Sequence, residues 1–223
     1  MTGCSGNSPA RQSDASGYIP KRSAINVSAG LKPGATKGLP GGRYDTKVTD
    51  GVPTQEHPTS PTHYLGQQWY FITACVEGRI PRLGDARLVG DHLALLNEGA
   101  RSKHFAIQAY CFMPDHLHLL VSGTQESSDC LAFINGFKQK SGFDFKQRCG
   151  QRLWQHKPYD HILRSDERWE PVAYYIWMNP VRRGLCRRPE EWPFSGSNTM
   201  DWRRMLTPPE ELWTPPWKRG STS

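Results

Sequence analysis

The stretch Tyr110-Cys-Phe-Met-Pro-Asp-His-Leu-His-Leu-Leu-Val-Ser-Gly123 decides the reading of this chain. Apolar runs on either side of Pro114-Asp115 predict two strands joined by a tight turn, an antiparallel hairpin. Successive side chains of a strand point to opposite faces, so His116 and His118 project together. Leu117, Leu119 and Val121 project the other way, which suits a strand whose back lies on a core. Two imidazoles side by side on a pleated surface are the start of a metal site, because neutral histidine is the commonest nitrogen ligand. Two partly exposed histidines with no ligand role satisfy the same pattern, so the rest of the chain has to decide.

Upstream, Trp69 to Val76 is aromatic and β-branched and reads as a strand. Asp85 is placed to cap a helix that carries Val89, Leu93, Leu96 and Ala100 on one face. Phe105 to Phe112 makes the first arm of the hairpin. Downstream, Ser127 to Arg148 reads as a helix with Leu131, Ile134 and Phe137 inward and a basic flank of Lys138, Lys140, Lys146 and Arg148. A short strand is expected around His161 to Arg164. A last helix is expected over Trp169 to Met178, with Pro171 in its first turn and Pro180 forcing its end. The order strand, helix, strand, strand, helix, strand, helix fits an α+β ferredoxin-like sandwich: an antiparallel sheet with helices on one face and one added C-terminal helix.

That predicted domain spans residues 67–198. Residues 1–66 are rich in Gly, Ser, Pro and Thr, lack apolar periodicity, and are expected to be disordered. Residues 199–223 read as a Pro- and Trp-rich tail, partly ordered at most. The net charge of +7 favours an anionic partner, nucleic acid being the usual one. The six cysteines include no Cys-x-x-Cys pair, so reduced thiols in a cytoplasmic protein are expected rather than a disulfide frame or a zinc knuckle. No apolar run reaches the ~18–20 residues that cross a bilayer, and the N-terminus lacks a signal peptide's apolar segment.

The last helix supplies what the histidine pair lacks. Tyr175 and Asn179 are four residues apart, hence stacked on one helical face. Brought against two imidazoles, they make a set of parts for phosphoryl transfer. His116, His118 and Asn179 would hold a divalent ion, Mg²⁺ or Mn²⁺, and Tyr175 would attack phosphorus as a phenolate. Each residue also has a plain reading, Tyr174 and Tyr175 as core aromatics and Asn179 as a helix end, but the four together are harder to explain that way.

Met113-Pro-Asp-His-Leu-His-Leu-Leu120 resembles the His-hydrophobe-His (HUH) motif of single-tyrosine transposases. Leu153-Trp-Gln155, Tyr159-Asp-His-Ile-Leu-Arg164, Tyr175-Ile-Trp-Met-Asn-Pro-Val181, Gly184-Leu185 and Trp192-Pro-Phe-Ser195 resemble, in order, the successive motifs of REP-associated tyrosine transposases. The resemblance implies a metal-dependent endonuclease and strand transferase acting on single-stranded DNA, often at hairpins. The tyrosine takes the 5′-phosphate and leaves a free 3′-OH; a later 3′-OH attack releases the enzyme. It gives His116 and His118 the role of the metal pair, Asn179 that of third ligand and Tyr175 that of nucleophile, with Tyr174 a rival on a different face. Relatives act as monomers or as homodimers. His161, inside one motif, is open to a ligand role or to a structural or DNA-contact role.

The same reading gives the basic residues a use. Lys138, Lys140, Lys146, Arg148, Arg164, Arg182 and Arg183 are candidates for contacting phosphate backbone, and Trp154, Tyr159 and Trp177 for stacking on unpaired bases, each with core packing or a solvated face as the plain alternative. Two other functions fit the sequence. A non-catalytic nucleic-acid-binding module would need the basic sheet but not Tyr175. A metal-dependent hydrolase would use water in its place.

Overall fold

A computed structural model of the chain describes residues 64–156, 158–163 and 167–216. Its centre is a five-stranded antiparallel sheet: β1 (Trp69–Cys75), β2 (Phe105–Met113), β3 (His116–Gly123), β4 (Tyr159–Ile162) and the two-residue β5 (Ser195–Gly196), in the order β4-β1-β3-β2-β5. Helices α1 (Ala86–Ser102) and α2 (Cys130–Cys149) join β1 to β2 and β3 to β4. The first four strands and these two helices are the ferredoxin-like arrangement expected from the sequence, with β5 added at the β2 edge.

Both long helices start on an aspartate. Asp85 accepts from the Leu88 amide at 2.8 Å and Asp129 from the Ala132 amide at 2.9 Å, a cap worth about 1 kcal/mol each. They cover the face of the sheet that carries Leu117, Leu119 and Val121, and Phe133, Ile134 and Phe137 pack into the same core. In α1 Leu93 packs partly buried against this core, as expected, and His92 joins the fully buried positions, its Nδ1 2.7 Å from the Leu88 carbonyl oxygen.

The other face of the sheet holds a second core, and this is where the last helices sit. Here α3 (Trp169–Trp177) and the single turn α4 (Asn179–Arg182) pack on Phe71, Ala109, Cys111, Met113 and Leu120. The added helix therefore lies opposite α1 and α2, on the side to which the histidines point. The register Thr73↔His118 and Cys75↔His116 between β1 and β3 makes Thr73 and Cys75 their neighbours on that face. The Trp192-Pro-Phe-Ser195 motif is architectural: Trp192 donates to the Phe112 carbonyl at 2.9 Å, and Ser195-Gly196 pairs with β2.

The boundaries differ from the expected ones. Tyr64, within the stretch read as a tail, is buried beside Tyr70; residues 1–63 lie outside the described residues. At the other end Trp202, Met205, Leu206 and Trp213 join the second core, so the segment read as a loose tail closes over the histidine face. Tryptophan carries too much apolar surface to be left in water without loss, and the second core offers it a place.

Candidate active site

His116 and His118 are buried side by side beneath α3. Their rings are nearly perpendicular and their Nε2 atoms stand 3.0 Å apart. Each ring is anchored from behind: His116 Nδ1 lies 2.6 Å from Asp115 Oδ1, and His118 Nδ1 lies 2.9 Å from Thr73 Oγ1. An ionised carboxylate only accepts, so His116 carries its proton on Nδ1 and keeps a lone pair on Nε2. The Thr73 hydroxyl donates or accepts, so His118 either donates from Nε2 to His116 or turns a second lone pair to the same point.

Burial first, and then the charges of His116, Arg79, Arg182 and Arg183, push His118 well below the usual histidine range. Burial lowers His116 as well, against the opposing pull of Asp115. Both rings are thus neutral at pH 7, the form that coordinates metal. Two converging imidazole nitrogens, each backed by an oxygen on Nδ1, fit a divalent cation. Among the described residues no three His, Cys, Asp or Glu side chains stand together as ligands, so a third protein ligand would have to be of another kind.

Asn179 is the candidate from sequence, and it does not continue the tyrosine helix. The helix ends at Trp177, and α4 begins at Asn179 with Pro180 in its first turn. Proline has no amide hydrogen to give the Ile176 carbonyl. The Asn179 carboxamide nitrogen fills the gap, donating to the Tyr175 oxygen at 2.9 Å and the Ile176 oxygen at 3.4 Å. Because both neighbours are carbonyls, the nitrogen must face them and Oδ1 is the end turned away from them.

Tyr175 is buried, its ring centroid 6.2 Å from that of His118 and 6.2 Å from that of Phe71. The Arg182 guanidinium lies over its face at 4.4 Å, a cation–π contact. Tyr174 turns away into an open groove of about 1040 Å³ between α3 and the C-terminal segment. Of the two tyrosines, only Tyr175 meets the histidines.

A family model described as "Transposase IS200 like" matches residues 66–176, a span that holds His116, His118 and Tyr175. Over that span this chain is similar to the IS200-like transposases. The Escherichia coli (strain K12) REP-associated tyrosine transposase is 27% identical over 96 residues, which cover 43% of this chain and 56% of that protein. This chain therefore spans little more than half the length of that relative. A solved structure of a REP-associated tyrosine transposase bound to a REP hairpin shares the fold, with a TM-score of 0.55 and 23% identity over 69% of this chain and 88% of the other.

Within this IS200-like frame, one residue near the tyrosine was not foreseen. Trp213, from the C-terminal segment, packs edge-on against Tyr175 at 5.1 Å and against Phe71 at 5.0 Å. Its Nε1 donates to Glu167 Oε1 at 3.3 Å, and Glu167 Oε2 lies 2.7 Å from His161 Nε2. His161 is thus engaged with Glu167 at the rim of the site. The signal for Trp213 was a tryptophan in a proline-rich segment, a residue that seeks burial whatever its neighbours.

The basic candidates divide by face. On α2, behind the sheet, Lys140 pairs with Glu98 at 3.0 Å and Arg148 with Asp91 at 2.7 Å, while Lys146 is exposed. Lys138 donates to the Gln155 and His156 carbonyls at 2.8 and 3.0 Å, and burial brings its pKa down to about 8. Trp154 is corrected from stacking platform to core residue: it is 4% exposed and donates to Ser141 Oγ at 2.9 Å. Trp177 and Tyr159 are buried too. Arg182 and Arg183 follow the tyrosine helix on the histidine side and contribute to the low pKa of His118. Arg164 lies outside the described residues.

Proposed function

We propose that this chain is a divalent-metal-dependent endonuclease and strand transferase for single-stranded or hairpin DNA, working through a 5′-phosphotyrosine intermediate. The observation that carries the reading is the placement of Tyr175 against His118, whose Nε2 converges with that of His116. His116 and His118, with Asn179 Oδ1, would hold Mg²⁺ or Mn²⁺. The ion, when bound, would polarise a phosphodiester oxygen.

Tyr175 gives up its phenolic proton, its Oη bonds to phosphorus, and the P–O3′ bond breaks. The released oxygen takes a proton and leaves as a 3′-OH. Rejoining is the reverse, with a 3′-OH displacing the tyrosine. Arg182 and Arg183 supply positive charge beside the site for the phosphate. The histidines and tyrosine come from one chain, which supports a monomer able to cleave by itself; a homodimer is the other outcome. A cytoplasmic location accords with a substrate of cellular DNA.

The test is a denaturing gel of the protein with a labelled hairpin from the repeats flanking its gene, in Mn²⁺, Mg²⁺ or EDTA. A metal-dependent covalent band, lost in Tyr175→Phe and His116→Ala, is expected. Cleavage without an adduct that survives Tyr175→Phe would point to a hydrolase. Salt-sensitive binding without cleavage would leave the binding module.

A further inference from the structure

Behind the histidine pair, on the side away from Tyr175, lies a residue that neither the motifs nor the proposed chemistry uses. Arg79 follows β1 in a tight turn whose Gly78 has φ +64° and in which Arg79 itself has φ +56°. Glycine adopts that left-handed region freely; a residue with a side chain enters it against a steric penalty. Such strain persists only where the surroundings over-determine it, and it collects at functional sites.

The surroundings here are specific. Arg79 Nη1 donates to Cys75 Sγ at 3.1 Å, and Nε stands 3.4 Å from Asp115 Oδ2. The other oxygen of Asp115 holds His116 Nδ1 at 2.6 Å. The backbone binds the same two pieces together, since the Val76 amide donates to the Asp115 carbonyl and the Leu83 amide to the Pro114 carbonyl, both at 2.9 Å. The loop after β1 is therefore fastened to the hairpin turn before His116 by main chain and side chain alike.

We propose that Arg79 is a positioning residue for the metal pair, acting through Asp115 to fix the ring of His116 with its Nε2 lone pair turned toward His118. The proposal rests on the reading of His116 and His118 as metal ligands. It explains why a strained backbone position carries arginine: the turn brings the side chain back beneath the hairpin, and the fork of the guanidinium spans Cys75 and Asp115 together. Lysine, with one point charge, cannot make both contacts in that geometry. A partner one step behind a ligand commonly changes metal affinity about 10–100-fold.

The test is Mn²⁺ binding to the purified full chain by calorimetry, beside thermal melting without metal. Arg79→Gly suits the left-handed backbone and removes the side chain, so its Tm is expected to stay level or rise while its Mn²⁺ affinity falls about tenfold or more. Arg79→Lys is expected to recover only part of the affinity. In an Asp115→Asn background, Arg79→Gly should cost little more, because the two act through one contact.

Wild-type affinity in a well-folded Arg79→Gly, with binding still lost in His116→Ala, would overturn the role of Arg79 and leave the metal site standing. A wild-type chain that binds no Mn²⁺, or binds it equally after His116→Ala, would overturn the metal reading and this proposal with it. Weaker hairpin binding in EDTA, with Mn²⁺ affinity unchanged, would make Arg79 a phosphate contact instead.

Discussion

The guanidinium of Arg182 lies over the ring of Tyr175, 4.4 Å from its centroid, so the residue proposed to attack DNA has a fixed cation against its π face. Negative charge that builds on the phenolate is stabilised there, and the contact also limits how the ring can turn. The arginine belongs to α4, which begins where Pro180 ends the tyrosine helix. Arg182 lies seven positions, about two helical turns, after Tyr175, so it falls on the same side of the chain and its long side chain reaches back over the ring.

Arg182→Ala is expected to slow single-turnover formation of the covalent adduct about tenfold, equivalent to about 1.4 kcal/mol. Arg182→Lys should lose less, because an ammonium also sits on a ring face, though without the planar stacking of arginine. Rates measured at saturating hairpin separate this effect from weaker DNA binding. An unchanged rate in Arg182→Ala would show that the contact has no part in the chemistry.

The depressed histidines give the metal-free fold a pH dependence of definite sign. In the unfolded chain both titrate near ~6.5; in the fold both lie lower. Between those values the unfolded state holds more protons, so the contribution of the pair is fully present above ~6.5 and is lost as pH falls through the folded values. Asp115, also depressed, adds a loss of the same sign at lower pH. Melting in EDTA from pH 7.5 to pH 5 should show a falling Tm in the wild type and a shallower fall in His118→Gln. Equal slopes would mean that His118 takes up its proton in the fold as readily as in the open chain.

Much of this was legible in the sequence because it rests on local pattern. The alternation His116-Leu117-His118-Leu119 gave the face, and the Asp85 and Asp129 positions gave the helix starts. The order of elements gave the ferredoxin-like sheet, and the four-residue spacing gave Tyr175 over Tyr174. What stayed hidden depends on contacts between distant segments. Lys138, Lys140 and Arg148 read as a DNA-facing flank, but α2 lies behind the sheet and α1 brings Asp91 and Glu98 to meet two of those charges. Trp154 read as a candidate for stacking on bases, with core packing as the alternative, and the fold takes the alternative by placing it beside Phe137 and Ser141. Arg79 gave no signal, since neither a left-handed backbone nor its reach to Asp115 shows in composition.

That division of charges by face leads to a measurable contrast. Each phosphate contact removed should lower the slope of log affinity against log salt by about 0.7 for single-stranded DNA. Arg182→Gln and Arg183→Gln are expected to flatten the slope by about that amount each. Lys140→Gln and Arg148→Gln should leave it unchanged, with only small effects on stability, as exposed ion pairs are worth about 0.2–1 kcal/mol. Titrations of a fluorescent hairpin at several salt concentrations read all four. A flatter slope in the α2 variants would place DNA on the back of the sheet and move the interface away from the tyrosine.

Trp213 tests whether the C-terminal segment belongs to the folded unit. Its ring meets Phe71, Tyr175 and His161, and its indole nitrogen is bonded to Glu167, so it ties residues from β1, α3 and β4 into one cluster. Removing it leaves a hole beside Tyr175 and one fewer partner for Glu167. Because the ring is only partly buried, Trp213→Ala is expected to cost less than a full core deletion, about 1–3 kcal/mol in urea unfolding. Trp213→Phe keeps the aromatic contacts, loses the hydrogen bond, and should cost about 1 kcal/mol. A change below about 0.5 kcal/mol in both variants, within the range of ordinary surface substitutions, would show that the segment rests on the site without contributing to its stability.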